Sequence, residues 1–256
     1  RTSIGRSNMR SEEITVAEVF QKNGYRTGSF GKWHLGDVWP FRSIDQGFEE
    51  AVNLNCGGIG QISDYWGNDY FDDVYYHNGK PKQYKGYCTD VFFDETISFI
   101  KECKVAQEPF LIYLAPNVAH LPRIVEEKYS KPFLENGHDK NQAIFYGMIK
   151  NFDENFGRLT KTLKELDLED DTIIIFTTDD GTAAYAAQFD KHGWALNSGF
   201  NMGQRGGKGS SYEGGHRLFF YIKWRGGRLE GGQKIDELTS VMDVFPTLVD
   251  LCDICL

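Results

Sequence analysis

Three near-continuous apolar runs constrain this chain most: residues 110–114 after Pro109, 172–177, and 218–224. A strand that is apolar at every position must be covered on both faces, which is the condition of strands in a parallel sheet. The segments between them read as helices. Residues 89–103 place Val91, Phe92, Ile97 and Ile100 on one side, and residues 141–166 do the same with Ile144, Met148, Phe152, Phe156, Leu159 and Leu163. Upstream, residues 15–23 carry helix end signals: a Thr15/Glu18 capping box, an Ile14–Val19 staple and Gly24 as the left-handed cap. A short strand follows at 26–30, and 235–251 read as largely helical, with Pro246 dividing two pieces. Strands alternating with helices indicate an α/β fold with a mostly parallel central sheet flanked by helices. In such sheets ligands sit beyond the C-terminal strand ends. Residues 37–88 read as a long, partly ordered excursion, and 181–216 as a Gly-rich stretch without clear elements.

The charge balance narrows the partners. A formal net charge of -9 is at odds with a nucleic-acid ligand, which calls for a basic face. No run approaches the roughly 18 apolar residues of a membrane span. The five cysteines, Cys56, Cys88, Cys103, Cys252 and Cys255, are an odd number and imply no disulfide framework. Cys252 and Cys255 have Cys-x-x-Cys spacing but end an apolar helix with no second pair, so they read as packed hydrophobes.

Four clusters carry chemistry, three of them just after expected strands. In Gly31-Lys32-Trp33-His34-Leu35-Gly36, a Lys and a His two apart both face one pocket if the backbone is extended. Alone, they read equally well as a solvated Lys and a core His. His120, in Asn117-Val118-Ala119-His120-Leu121-Pro122, is a weak signal by itself. The adjacent carboxylates Asp179 and Asp180 repel each other unless a cation neutralises them, and oxygen ligands suit Ca²⁺ or Mg²⁺; a turn or helix-cap pair is the other reading. The fourth cluster runs from Arg205 to Arg217 and places Lys208 among glycines, without the spacing of a Walker loop. Together they describe a metal-assisted site for a tetrahedral oxyanion, sulfate or phosphate.

In order and content these motifs resemble the formylglycine-dependent sulfatases of the alkaline phosphatase superfamily. Gly24-Tyr25-Arg26-Thr27 leading into residues 31–36 is similar to that family's second signature. His120 with Pro122 resembles its His segment, and Thr177-Thr178-Asp179-Asp180-Gly181 its metal-binding strand end. Residues 207–217 resemble its late Lys loop, and Asp243-Val244-Phe245-Pro246-Thr247 its Asp-x-x-Pro-Thr helix. The resemblance implies that Lys32 and Lys208 hold sulfate oxygens and that His34 contacts the formylglycine hydroxyls. It also implies that His120 touches the ester oxygen as general acid, and that Asp179 and Asp180 bind calcium. The family usually has Asn at the second of these carboxylate positions, so Asp180 adds a charge that favours metal and disfavours sulfate.

The nucleophile of such enzymes is formylglycine, made from Cys or Ser in a Cys-x-Pro-Ser-Arg motif, and its hydrate attacks sulfur. None of the five cysteines sits in that motif. Arg1-Thr2-Ser3-Ile4 resembles the motif's last residue and its sequel, with Gly5-Arg6 arriving about two residues early. The expectation is thus an incomplete sulfatase-like fold: residues 1–256 as a partial catalytic domain, with the nucleophile strand upstream and a smaller subdomain downstream. The implied substrate is a sulfated carbohydrate or aryl sulfate, the implied partner a formylglycine-generating enzyme, and the implied location a periplasm, cell exterior or lysosome. A related phosphodiesterase or phosphonate hydrolase, and a non-catalytic relic, are the competing readings. Tyr65, Trp66, Tyr70, His192 and Trp194 can stack on or hydrogen-bond a sugar, but ordinary loop packing serves as well and no role is assigned to them.

Overall fold

Strand β1 (Arg26–Lys32) delivers the first cluster, and its approach is built as the end signals predict. Helix α1 (Val16–Lys22) begins at Thr15, whose hydroxyl accepts the Glu18 N–H at 3.1 Å while Glu18 accepts the Thr15 N–H at 2.8 Å. Past the helix, Gly24 adopts φ +83° and the Tyr25 N–H closes onto Phe20 O at 3.1 Å, turning the chain into β1. Ile14 remains 70% exposed, so the expected staple buries little of it.

The computed structural model describes residues 8–10, 12–183, 200–227, 229 and 231–256. The chain divides into two bodies, Arg1–Asn117 with Lys234–Leu256, and Val118–Gln233.

In the first body β1 lies between two parallel neighbours, β2 (Glu50–Leu54) and β5 (Phe110–Ala115). Beyond β2 the sheet continues antiparallel through the hairpin β3 (Val74–His77) and β4 (Lys80–Gln83), in the order β4-β3-β2-β1-β5. The parallel centre is the expected one. Residues 37–88 are more ordered than their composition suggests: three of the five strands lie there. Helix α2 (Cys88–Ala106) covers β1 and β5 with Phe92, Phe93, Phe99 and Ile100, all at most 2% exposed.

The C-terminal residues return to this body. Val19 and Phe20 of α1 pack with Ile254, and against them lie Phe245, Leu248, Val249 and Cys252. Cys252 is therefore a packing residue, and Cys255 engages Asn23 through its backbone only. The expected helix over 235–251 is shorter: a 3₁₀ turn at Val241–Asp243 leads into helix Val244–Leu251. Pro246 sits in the first turn of that helix, where a missing N–H costs no hydrogen bond. Ile235 and Leu238 are 68% and 101% exposed, so nothing rewards extending the helix backwards.

Among the described residues, the second body holds helices α3 (Glu127–Glu135) and α4 (Lys140–Glu165), the latter capped by the Asp139 carboxylate, which accepts the Asn141 and Gln142 N–H groups. Strand β6 (Ile174–Thr177) pairs antiparallel with β7 (Phe220–Lys223), and the short helix α5 (Glu213–His216) precedes β7. The last helix of the chain, Val244–Leu251, is α6. Phe176 of β6 stacks between α4 and β7, 5.8 Å from Phe152, 5.6 Å from Phe156 and 5.1 Å from Phe219. Among the described residues the strands that carry the clusters thus form two ladders, where the sequence suggests one sheet. A helix long and apolar enough to cross a membrane is absent among the described residues.

Candidate active site

At the end of β1, Trp33 is the anchor. It is 7% exposed, packs with Ala17 and Phe48, and donates one hydrogen bond from its indole and one from its backbone. Its Nε1–H donates to Phe41 O at 2.7 Å, and its backbone N–H donates to Leu54 O at 3.0 Å. With Trp33 turned into the core, half-buried Lys32 and His34 stand on either side of it. His34 takes a left-handed backbone, φ +56°, an uncommon conformation for a residue with a side chain.

Beyond β2, Gly57 lies against the His34 ring. A Cβ at residue 57 would stand 3.0 Å from Cε1 and 3.2 Å from Nε2, so any larger residue here would press on the imidazole. Next to it, burial pushes the Cys56 thiol up to about 11; Asp64 adds to the rise and Lys32 opposes it. A thiol held protonated in this way is a packing group rather than a nucleophile. Cys88 and Cys103 are likewise buried, and burial raises both. After β5, Asn117 is 2% exposed and donates to the Tyr70 hydroxyl at 2.9 Å. Tyr70 is itself wholly buried, which makes it a packing residue rather than a sugar contact.

The remaining charged candidates belong to the second body. His120 is half-buried, with Nδ1 2.6 Å from Leu121 O. A carbonyl only accepts, so Nδ1 carries the hydrogen of this contact. Three residues on, Arg123 donates to Ala183 O and lies 5.1 Å over the Phe145 ring, which ties the His120 loop to the chain just past Asp180. Burial lowers the Arg123 pKa from its ordinary value.

Asp180 and Lys208, 28 residues apart in sequence, are brought to 3.9 Å (Oδ2 to Nζ), a long ion pair between partly exposed groups. Among the described residues, backbone contacts also make this junction. Gly181 N–H donates to Gly215 O at 3.1 Å, and Lys208 N–H to Thr182 O at 3.0 Å. A Cβ at Gly181 would stand 1.9 Å from Gly214 O, so the turn after β6 and the start of α5 touch with no room for a side chain. Arg205 lies 3.8 Å over the Tyr212 ring and closes the Lys loop on itself. Asp180 Oδ1 accepts the Gly181 N–H at 3.1 Å, while Asp179 is exposed.

The donor chemistry at Asp179 and Asp180 is oxygen only, which suits a hard cation. Among the described residues no group of three or more His, Cys, Asp or Glu gathers to hold a metal, so this pair is at most part of a ligand set. Arg1, His192 and Trp194 lie outside the described residues. Sequence reasoning missed Gly57 and Arg123, and it named Gly181 in the strand-end motif without its contact to Gly214, because each acts through a long-range contact that no local pattern announces.

The family model described as Sulfatase matches residues 2–254. The chain is 30% identical over 266 residues to an uncharacterized sulfatase, YdeN, of Escherichia coli (strain K12), which covers 94% of this chain and 44% of that protein. It is 30% identical over 253 residues to the N-acetylgalactosamine-6-sulfatase of Canis lupus familiaris, covering 94% and 45%. Its fold superposes on the crystal structure of Ps i-CgsB in complex with k-i-k-neocarrahexaose with a TM-score of 0.84, at 25% identity, over 99% of this chain and 56% of that one. The chain thus spans less than half the length of these curated relatives. A match from residue 2 to residue 254, together with the shared alkaline phosphatase-like architecture, makes this chain a member of the sulfatase family.

Proposed function

We propose that the protein carrying this chain is a sulfuric ester hydrolase acting on a sulfated carbohydrate, and that Lys32, His34, His120, Asp179, Asp180 and Lys208 act at one centre. The observation that carries the reading furthest is the Asp180–Lys208 junction, where a hard-ligand carboxylate and an anion-binding ammonium are set side by side by glycine contacts. The pair is long and its side chains are 30% and 39% exposed, so Lys208 can exchange a carboxylate for a sulfate oxygen at little cost.

In this reading Lys32 and Lys208 bind the sulfate oxygens and offset the charge that grows on them as the ester bond breaks. His34, held against Gly57, orients and accepts a proton from the attacking hydroxyl. His120, its Nδ1–H fixed on Leu121 O, delivers a proton from Nε2 to the departing sugar oxygen. A calcium ion, when bound, would add positive charge beside the sulfate, with Asp179 and Asp180 supplying part of its oxygen ligands. Formylglycine would supply the nucleophilic hydroxyl, and none of the buried thiols of this chain stands in for it. Arg1 beside that nucleophile, maturation by a formylglycine-generating enzyme, and export from the cytoplasm belong to the same proposal.

The test is direct. The full-length gene is co-expressed with a formylglycine-generating enzyme and assayed on a chromogenic aryl sulfate and the matched phosphate ester. Hydrolysis of the sulfate, lost on chelation of calcium and restored by adding it back, is the expected result. A phosphate rate equal to or above the sulfate rate would assign the site to a phosphodiesterase or phosphonate hydrolase instead.

A further inference from the structure

The loop that follows Gly57 has a second property. Trp66 is 97% exposed and Tyr65 is 40% exposed, yet the segment bearing them is tied down on every side. Asp64 accepts the Gly60 N–H at 2.7 Å and the Asn68 amide at 3.2 Å. Asn68 in turn pairs with both backbone groups of Val74, each at 2.9 Å, at the start of β3. Between these two posts the Asn68 N–H closes onto Tyr65 O at 3.2 Å, and Gly67 takes φ +93°. That is a four-residue turn with Trp66 at its second position. An indole that large, apolar and unburied, on a turn fixed by its own hydrogen bonds, has not been packed by the fold; it has been presented by it.

The loop also reaches the site. Gln61 Oε1 would stand 2.8 Å from a Cβ at Gly57, the same point that lies 3.0 Å from His34 Cε1. The loop therefore begins against the His34 imidazole and ends at the Trp66 turn. The segment after His34 carries another outward indole, Trp39, 74% exposed.

We propose that Trp66, with Tyr65, is a carbohydrate-binding platform for the sugar that bears the sulfate or its next neighbour in the chain, and so determines substrate preference. This rests on the sulfated-carbohydrate reading above and deepens it. The apolar faces of a pyranose match a flat aromatic, while the exposed Gln61 and Asp69 near the turn offer hydrogen-bonding groups to its hydroxyls. A rigid aromatic with two side-chain torsions binds at low entropic cost, more so when the turn beneath it is already ordered.

The experiment compares the full-length protein with Trp66→Ala and Trp66→Phe on a small aryl sulfate and on a panel of sulfated oligosaccharides. The readout is the ratio of kcat/KM on the best oligosaccharide to kcat/KM on the aryl sulfate. It should fall about five- to tenfold in Trp66→Ala, mainly through KM, and recover in Trp66→Phe. Val105→Ala, on the far end of α2 and 87% exposed, should leave the ratio alone. An unchanged ratio in Trp66→Ala overturns the platform while leaving the sulfatase reading intact. If the parent hydrolyses neither class, that reading fails and the platform is judged by binding. Quenching of tryptophan fluorescence by the oligosaccharides in the parent, lost in Trp66→Ala, supports it, and equal quenching in both overturns it. A Trp66→Ala effect seen only on self-association, by sedimentation, would make the indole a contact between copies and also overturn the proposal.

Discussion

The β1 end and the β6 end both hold a lysine near a second ionisable residue, but by opposite means. At β1 the fixing is done by side chains: Trp33 is sunk among Ala17 and Phe48 and hydrogen-bonded through its indole, with Lys32 and His34 on its flanks. At β6 it is done by backbone: Gly181, Gly214 and Gly215 bring two loops into contact that no side chain would allow. The difference shows that ionisable side chains can be placed either by a buried anchor or by the removal of side chains at a crossing point. The first tolerates change around the anchor but not of it. The second tolerates change of nearly any side chain except an added one.

The largest effect should come from removing the anchor. Trp33→Ala deletes a 7%-exposed indole and its hydrogen bond, and a loss of about 3–5 kcal/mol in unfolding free energy is expected by chemical denaturation. A loss below about 1 kcal/mol would mean that the β1 end is not held by this residue. Next come the lysines. Lys32→Ala and Lys208→Ala should each lower kcat/KM on an aryl sulfate about 10²–10³-fold with little change in stability. If they bind one sulfate, the double variant should fall well short of the product of the two losses. Strict multiplicativity would separate the two ends functionally and break the proposed common centre.

At the β6 end the corresponding structural probe is Gly181→Ala. Its new methyl would meet Gly214 O at 1.9 Å, a backbone atom that has to move. The expected cost is about 1–3 kcal/mol, the range for overpacking, accompanied by a fall in activity because Lys208 is seated through the same crossing. Stability and activity measured together distinguish this from Lys208→Ala, where only activity should move. An unchanged Gly181→Ala protein would show that the glycine crossing is loose and that the contrast between the two ends is false.

How far these two ends were legible from sequence follows from the same contrast. β5, α2 and α4 were readable from their apolar residues, whereas β1 has only Phe30 as a large apolar residue and was placed from the end signals of the helix before it, with its end within two residues. β2 was not readable. In Glu50–Leu54 a polar residue falls at a buried position: Asn53 is 2% exposed and satisfied by Ser29 and Gly31 across the parallel ladder, a partner that local pattern does not reveal. The β3–β4 hairpin did carry a signal, Asn78-Gly79, both at positive φ, but its second strand Lys80–Gln83 is polar, fully outward and contains a proline. The helix at 235–251 was read too long because Ile235 and Leu238 look like helix-face residues and have no surface to cover. The charged candidates were visible as motifs, and Gly181 with them, whereas Gly57, Arg123 and the contact of Gly181 with Gly214 were invisible, because proximity between residues 34 and 57, 123 and 183, or 181 and 214 is a property of the tertiary fold.

The smallest expected effect is the sharpest test of the β6 end. Asp180 uses its two oxygens differently: Oδ1 accepts the Gly181 N–H at 3.1 Å and Oδ2 faces Lys208 at 3.9 Å. Asp180→Asn keeps an acceptor for the N–H and removes the charge. If backbone contacts rather than the ion pair hold the crossing, stability should change by less than about 1 kcal/mol, as for other partly exposed pairs. The chemistry should move in two directions at once. Calcium should bind more weakly, because a neutral oxygen replaces a carboxylate, so the calcium concentration giving half-maximal activity should rise. At saturating calcium the KM for a sulfate ester should fall, because Lys208 loses a competing anion. A drop of more than about 2 kcal/mol in stability would show instead that the Asp180–Lys208 pair itself closes the junction, and the two ends of the molecule would then be built alike, each on a side chain that cannot be replaced.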